Sequence, residues 1–516
     1  MPSTKESQQT QKEKDTELLA KFGYKQDLLR QMGGFSNFAI SFSIISILTG
    51  LISMFGYGVN LVGGFAYWTW VTVAFFQLFN AVSMGEMASS FPLAGGLYPW
   101  ARHLASPKTG WWVGWINMIA WWAVTVAIDA SLAGFLASSG WFGLQSNTPT
   151  VVIITIIAMT IQMVMNIFGI KLVSWFNNFS VWVHMIGTVL LFTLLLWLGH
   201  AHPFSFIVDA HVPDATGTAM TNVGPGSGLF LLAFLPAILM SAWTLTAFDA
   251  SADVSEETED PQHTVPWGMV IAVVASFIFG SLVLFGLIRN IPSDPSVIAA
   301  NQDNLASYII QHVLGSGLAL PMMAIICLAQ FACGLSSSTV FQRVIFSLSR
   351  DNNLPFSNQL KKVRKNGSPY MAAIIGTIAM AVLTVGASLI GDTVLPTVTS
   401  IATVGFYFGY FIVIILGVRA RLNGRWSQRG PWNVGKLWFP IAFVAILWNL
   451  FISVDMVLPP NLVTLYLFGG IMVLLAIYFF AVKQRQLSDT LALTADELDK
   501  LEHQQEREAE ESVTDE

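Results

Sequence analysis

An all-α membrane protein with twelve transmembrane helices is the fold class this sequence predicts, and three observations predict it. The chain is 54% hydrophobic and only 11% charged over 516 residues, where a soluble domain carries roughly a quarter of its residues as charges. Its apolar residues fall into runs of about 20, the length that crosses a hydrocarbon layer. Its Lys and Arg residues cluster between alternate runs, the asymmetry that sets orientation in a membrane.

The elements follow in order. Residues 1–34 are polar and of mixed charge, with no apolar stretch leading to small residues, so they read as a cytoplasmic tail and not as a cleavable signal peptide. The apolar runs lie at roughly 35–60, 65–90, 111–140, 150–170, 178–199, 229–252, 266–289, 318–349, 369–390, 393–418, 437–458 and 462–482. Threading them from an inside N-terminus places 24 of the 25 Lys and Arg residues on the cytoplasmic side and leaves Arg289 alone outside. Both termini are then cytoplasmic, and the expected location is the plasma membrane. Trp111, Trp112, Trp141, Trp267 and Trp438 fall near run ends, where interfacial aromatics belong. Residues 483–516 form an acidic tail: from 489 onward eleven Asp or Glu stand against Lys500 and Arg507. Cys327 and Cys333 share one apolar run at a spacing that puts them on different helix faces, which reads as packing with no disulfide or metal site.

Two runs are interrupted. The first contains Thr49-Gly50 with Ser46 and Ser53 close by. The sixth contains Trp243-Thr-Leu-Thr-Ala-Phe-Asp249, preceded by Pro236 and followed by Glu256-Glu257. A bilayer tolerates loose backbone and an acid only where they face protein or a watery cavity. Interrupted helices at matching places in two oppositely directed halves are the sequence sign of a solute site. The alternative for Thr49-Gly50 is close helix packing by small residues.

The wording of several segments then becomes recognisable. Gly85-Glu86 through Pro92, Gly95-Gly96 and Tyr98-Pro-Trp100 resembles the second-helix signature of the amino acid–polyamine–organocation superfamily of transporters. Ala247-Phe248-Asp249 through Pro261 and Pro266 is similar to its sixth-helix signature. Arg343 with Ser349-Arg350-Asp351 through Pro355 resembles its eighth helix and exit, and Arg429-Gly-Pro-Trp432 looks most like the branch carrying amino acids, 4-aminobutyrate and choline. The resemblance implies the leucine-transporter fold over residues 35–482. It makes 35–199 and 229–418 inverted repeats of five helices each and 437–482 two peripheral helices. One departure is plain: where the family often has Gly-Ser-Gly at the first break, only Thr49-Gly50 stands here, which leaves room for a substrate with a distant or absent carboxylate.

On this reading the backbone around Thr49, Gly50 and Leu51 and around Trp243, Thr244, Thr246, Ala247 and Phe248 cradles the solute. Half-helix ends expose unpaired N–H and C=O groups, which suits a zwitterion. Trp243 and Phe248 offer an apolar wall or a cation–π face to an amine. Asp249 either anchors the break or caps the restarted inner half-helix, with the cap preferred. Asp129, in the third span, either meets a cationic substrate group or bonds to a neighbouring helix. His184 stands thirteen positions after Lys171, where some proton-coupled relatives carry a lysine, and is the candidate for proton coupling. Ser337 and Ser338 are candidates for binding Na⁺ with first-helix carbonyls. No other cofactor is expected. Glu86 is expected to pair with Arg343 or Arg102, and Glu256 and Glu257 with Arg350, as modest contacts of an inner gate.

These features point to a secondary active carrier of amino acids or small amines in a lipid bilayer. The competing reading is a transporter-like nutrient sensor signalling through its tails. No nucleotide-binding glycine loop, metal spacing, nucleophile–base motif or nucleic-acid signature argues for an enzyme or a nucleic-acid protein.

Overall fold

A computed structural model describes residues 4–139, 141–199, 202–389, 394–459 and 461–487. The acidic tail expected at 483–516 lies outside the described residues from 488 onward. The chain is a helical bundle. Helix α1 spans Thr4–Lys21, and Gly34–Ile45 (α2) and Ile47–Val62 (α3) follow as two parts of one interrupted rod. Next come Ala66–Ser90 (α4), the short Leu97–Leu104 (α5), Pro107–Ser138 (α6), Thr148–Phe168 (α7) and Ile170–Leu198 (α8). After a two-stranded antiparallel hairpin, His211–Pro213 with Met220–Asn222, the chain continues as Phe230–Thr244 (α9), Ala250–Asp253 (α10), Pro261–Ile288 (α11) and Pro295–Ala300 (α12). The last elements are Leu305–Arg350 (α13), Ser357–Leu360 (α14), Tyr370–Ser388 (α15), Val394–Leu422 (α16), Trp438–Asp455 (α17) and Leu462–Tyr478 (α18).

Among the described residues ten helical stretches are long and apolar enough to cross a membrane, with Gly34–Ser90 counting as a single 57-residue stretch. Phe230–Thr244 is apolar but shorter. Helix α13 is kinked at Gly315 (φ +64), so the span expected at 318–349 is the part beyond the kink. The order of burial separates centre from rim. Helix α6 packs against α13 and α16, and α3 crosses α9. By contrast α8, α17 and α18 turn Trp175, Trp182, Phe443 and Leu474 outward. A belt of exposed large apolar side chains has no place in water and is the surface a bilayer solvates.

The N-terminal segment is not the free tail that its polarity implied. Leu19, Leu28 and Met32 are buried. The N–H groups of Gln31 and Met32 donate to the Glu257 carbonyl, and Met32 pairs with Thr258 as an isolated bridge. Three apolar anchors in a polar sequence are enough to strap it across one end of the bundle. That end also gathers Arg102, Arg343, Arg350 and Arg421, and is called the basic end below.

Candidate solute site and gates

The first interruption falls at Ser46, one turn before the Thr49-Gly50 pair that the sequence singled out. Ser46 sits at φ 17, ψ 91, between two regular helices. Its carbonyl accepts the N–H groups of Thr49 (2.9 Å) and Gly50 (2.8 Å), which leaves Ile47 and Leu48 at the first turn of α3 without intrahelical acceptors. The second interruption runs from Leu245 to Asp249, as expected. Ala247 stands at φ +60, a left-handed conformation that costs a residue with a β-carbon on the order of 1–3 kcal/mol. The surroundings hold it there. Gln77 Nε2 donates to the Leu245 carbonyl at 2.8 Å, Ser41 Oγ to the Phe248 carbonyl at 2.7 Å, and the Ala247 N–H to Tyr410 Oη at 3.2 Å.

Between the interruptions lies a closed cleft lined by Thr49, Gly50, Trp243, Thr244, Thr246 and Ala247, with Ile44, Ile45, Val124, Ile128 and Cys333 completing it. Its free volume is about 10 Å³, room for one water. The buried Thr246 hydroxyl has no protein partner. Leu51, Phe248 and Asp249 lie behind this wall. Asp249 is not the side-chain cap of α10: its Oδ1 accepts the Tyr410 hydroxyl at 2.5 Å, which makes it an anchor for the unwound stretch. Phe248 packs on the same tyrosine, ring centroids 5.3 Å apart.

Asp129 follows cleft-lining Ile128 in sequence, but its side chain leaves in another direction. Its Oδ1 accepts from Gln162 Nε2 on α7 at 2.7 Å, the neighbouring-helix option of the two open for it. His184 is brought to the first interruption. Its Nδ1 lies 2.9 Å from the Ser180 carbonyl and its Nε2 2.7 Å from Ser46 Oγ, which is itself 2.6 Å from Thr49 Oγ1. Ser180 Oγ is also 3.1 Å from Nδ1; with the Nδ1 hydrogen given to the Ser180 carbonyl, which only accepts, Nε2 is the position that gains or loses a proton. Ser337 and Ser338 are not brought there. Ser337 Oγ pairs with Thr125 Oγ1 at 2.7 Å, and Ser338 Oγ accepts from Gln342 at 3.1 Å. Cys333 is the α13 residue that reaches the interruption, with Sγ 3.3 Å from the Ile44 carbonyl.

At the basic end two carboxylates are clamped by two arginines. Arg343 holds Glu257 through Nε and NH2, both at 2.9 Å, with neither side chain exposed. Arg350 holds Glu256 through two bonds of 2.9 Å and lies 3.8 Å above the Tyr24 ring. These are buried bidentate pairs and not contacts of modest strength, and Glu257 is a correction: Arg343 holds it, not the Arg350 expected for both acids. Removing one partner of such a pair costs about 3–5 kcal/mol. Glu86 is a correction: its partner is Arg421, with the Val434 N–H at 3.1 Å and Arg429 at 3.9 Å. Arg343 is taken by Glu257, and Arg102 by Asp351. At the opposite end a cavity of about 390 Å³ opens between α6, α7, α13 and α15, with Asn147, Ser307 and Gln330 among its walls.

Sequence reasoning missed Gln77, Ser41 and Tyr410, and placed Ser46 beside the first interruption and not at it. The signal was available: each is a polar group inside an apolar run, and an unwound helix must find partners for its backbone.

Two interrupted helices meeting at a small, mostly apolar cleft with threonine hydroxyls on its wall, inside a bundle with an apolar rim, define a multi-pass integral membrane protein of the solute-carrier class. Comparison with known proteins gives the family. A family model described as amino acid permease matches residues 32–483. The chain is 31% identical to the amino-acid permease BAT1 of Arabidopsis thaliana, over 86% of this chain and 88% of that one. It is 29% identical to the GABA-specific permease of Saccharomyces cerevisiae, over 86% and 78%. With the thiamine transporter thi9 of Schizosaccharomyces pombe it shares 26%, over 87% and 81%. The chain belongs to the amino acid permease family, and it is a transporter and not an enzyme.

Proposed function

We propose that the chain is a secondary active carrier of amino acids or related small amines such as 4-aminobutyrate or choline, working by alternating access and coupled to protons through His184. The observation that carries this reading is the meeting of the interruptions at Ser46 and at Leu245–Asp249 across one closed cleft. Side chains already hold the Leu245 and Phe248 carbonyls and the Ala247 N–H, so the break is kept open by the protein itself, and the unpartnered Thr246 hydroxyl on the cleft wall is a group left for a solute.

The architecture proposed is the leucine-transporter fold with twelve crossings: 35–199 and 229–418 as inverted repeats, 437–482 as peripheral helices, and an acidic tail from 483. The 57-residue stretch Gly34–Ser90 is long enough for two crossings at about 1.5 Å per residue. Helix α9 with its unwound continuation supplies another. The positive-inside distribution supports cytoplasmic termini, and the plasma membrane is the location proposed. With the basic end then cytoplasmic, the clamped arginines are the closed inner gate and the 390 Å³ cavity is the outer vestibule.

Charge narrows the solute. The residues lining the cleft include no Lys, Arg or His, while Asp249 stands directly behind it. That supports a zwitterion or a cation over an anion, with Trp243 supplying the face on which an amine rests. The relatives' names fit this chemistry, since GABA and thiamine both carry cationic nitrogen.

Coupling follows from the tautomer. With Nε2 unprotonated, His184 accepts the Ser46 hydroxyl. With Nε2 protonated it donates, and Ser46 turns its hydrogen to Thr49. A proton at His184 thus reorients the hydroxyl chain at the first interruption. Sodium has less support, because Ser337 and Ser338 are turned to other partners.

Labelled uptake into vesicles carrying the full chain, over a panel of 4-aminobutyrate, choline, polyamines and common amino acids, tests this reading. Uptake of one solute that is lost in Trp243→Ala sustains it. Solute binding with no flux in any gradient overturns it.

A further inference from the structure

We propose that Asp129 and Gln162 form a proton-binding site at the contact of α6, α7 and α13, separate from both helix interruptions. Asp129 is fully buried. Its Oδ1 already accepts Gln162 Nε2 at 2.7 Å. The two atoms left over, Asp129 Oδ2 and Gln162 Oε1, are both buried and both without a partner. Each is an acceptor, so they cannot satisfy one another as they stand. One proton on Oδ2, donated to Oε1, satisfies both and closes a cyclic acid–amide pair. Leaving the two acceptors unmade costs about 1–3 kcal/mol each, and a proton answers both without adding any atom larger than hydrogen to the contact.

The third helix fits around the pair. A β-carbon at Gly334 would lie 2.1 Å from Asp129 Oδ1 and 2.5 Å from Gln162 Nε2, so only glycine lets α13 close over it. One turn earlier on α13, Gln330 lines the 390 Å³ cavity, is 1% exposed, and has both amide atoms unpartnered. Val126, Ala127 and Ala130, which flank Asp129 on α6, line the same cavity. A buried polar group with unmatched donors and acceptors at a cavity wall is where water, and hence a proton, arrives.

Among the described residues no Lys, Arg or His forms an ion pair with the carboxylate, whose hydrogen-bond partner is Gln162. Of the elements packed against α6, α7 has no titratable side chain, α3 only Tyr57 and α15 only Tyr370. On α16, Tyr410 is committed to Asp249 and Tyr407 to the Ala242 carbonyl, and Arg421 pairs with Glu86 at the basic end, near Arg419. From α5, Arg102 is bound to Asp351, with Tyr98 and His103 at the same end. On α13, Arg343 is held by Glu257 and Cys333 is the titratable neighbour that feels Asp129; Cys327 lies farther out, with Tyr308 and His312 toward the helix start. A buried acid with no counter-ion stays in the membrane only if neutralised.

The inference does not need a transported solute, so its failure and that of the carrier reading are separable. Infrared difference spectra of the purified full chain in lipid nanodiscs, recorded against pH, test it. The expected result is a carboxylic-acid carbonyl band that is missing in Asp129→Asn and moves to higher frequency in Gln162→Leu, as an acid does on losing its acceptor. If Asp129→Asn fails to fold, the Gln162→Leu shift decides by itself. Bands identical in wild type and both variants, or a wild-type band erased when sodium replaces potassium at constant pH, would overturn the proton assignment.

Discussion

Gly50 and Thr244 touch where the two interrupted rods cross: a β-carbon on Gly50 would lie 2.5 Å from Thr244 Oγ1 and 2.7 Å from its Cγ2. The threonine has no freedom to retreat, because its hydroxyl donates to the Met240 carbonyl at 2.8 Å. The packing role that small residues commonly play is therefore real at Gly50, and the same residue lines the cleft. Close packing and site formation are one constraint here.

Gly50→Ala is expected to lower the thermal midpoint by an amount matching the 1–3 kcal/mol that overpacking typically costs, and to abolish uptake. Adding Thr244→Gly removes the side chain the new methyl meets. The double variant should recover most of the midpoint, which a double-mutant cycle by thermal unfolding would measure. Equal, additive losses would remove the contact from the explanation.

Arg343 and Glu257 lend themselves to a sharper comparison. Arg343→Met alone leaves a buried carboxylate with no partner and should cost about 3–5 kcal/mol. Arg343→Met with Glu257→Met removes both charges and should regain most of that stability. One of the two clamps at the basic end is then gone, and a cysteine replacing Ser347, buried one turn farther along α13, should become more reactive to an impermeant thiol reagent applied at that end.

Of the basic-end clamps the Glu256–Arg350 pair was legible, because both residues sit in runs whose wording and orientation the sequence carries, whereas Glu257 pairs with Arg343 and not with the Arg350 expected for it. The apolar runs were legible because a bilayer demands about 20 such residues in a row. The exact place of the first interruption was not. Ser46 stands at the break with its hydroxyl against His184, 138 positions away in sequence, and no local pattern encodes a partner at that distance. The same holds for Glu86, whose choice of Arg421 over Arg343 or Arg102 depended on which arginines other acids had already taken.

Tyr410 serves two masters at the second interruption, giving its hydrogen to Asp249 and its lone pair to the Ala247 N–H. Tyr410→Phe orphans a buried carboxylate oxygen and a buried amide together. The expected loss is about 1–3 kcal/mol for each group left unpaired, seen as a lower thermal midpoint, with a weaker apparent solute affinity because Ala247 is no longer held at φ +60.

His184→Ala should abolish accumulation against a gradient while some solute exchange continues, since exchange needs the cleft but not the proton. Uphill, proton-dependent accumulation by that variant in sealed vesicles would reject the coupling role. His184→Gln is the useful control: it keeps a hydrogen-bonding group near Ser46 without a titratable nitrogen, so it should match alanine in accumulation and wild type in thermal midpoint.

The N-terminal strap should loosen in mild acid, and His103 is the reason. It lies outside the spans on α5, stacked with Phe91 and edge-on to Phe22. Its Nε2 is unpartnered. Burial, helped by the neighbouring Arg102, pushes it from the ordinary 6.5 down to about 4. A histidine depressed in the docked state takes its proton more readily once the strap is released. Docking is therefore undiminished above pH 6.5, weakens as pH falls below that value, and reaches its full loss near 4. One unit below 6.5 the opening constant should rise by up to about tenfold. Asp15 acts in the opposite sense, because burial raises it above the ordinary carboxylate value and protonation therefore favours the docked state. Hydrogen exchange over residues 15–32, corrected for the intrinsic rate at each pH, measures the opening. His103→Phe keeps the aromatic packing without a proton site and should flatten the acid limb; an unchanged limb in that variant would move the cause elsewhere on the strap.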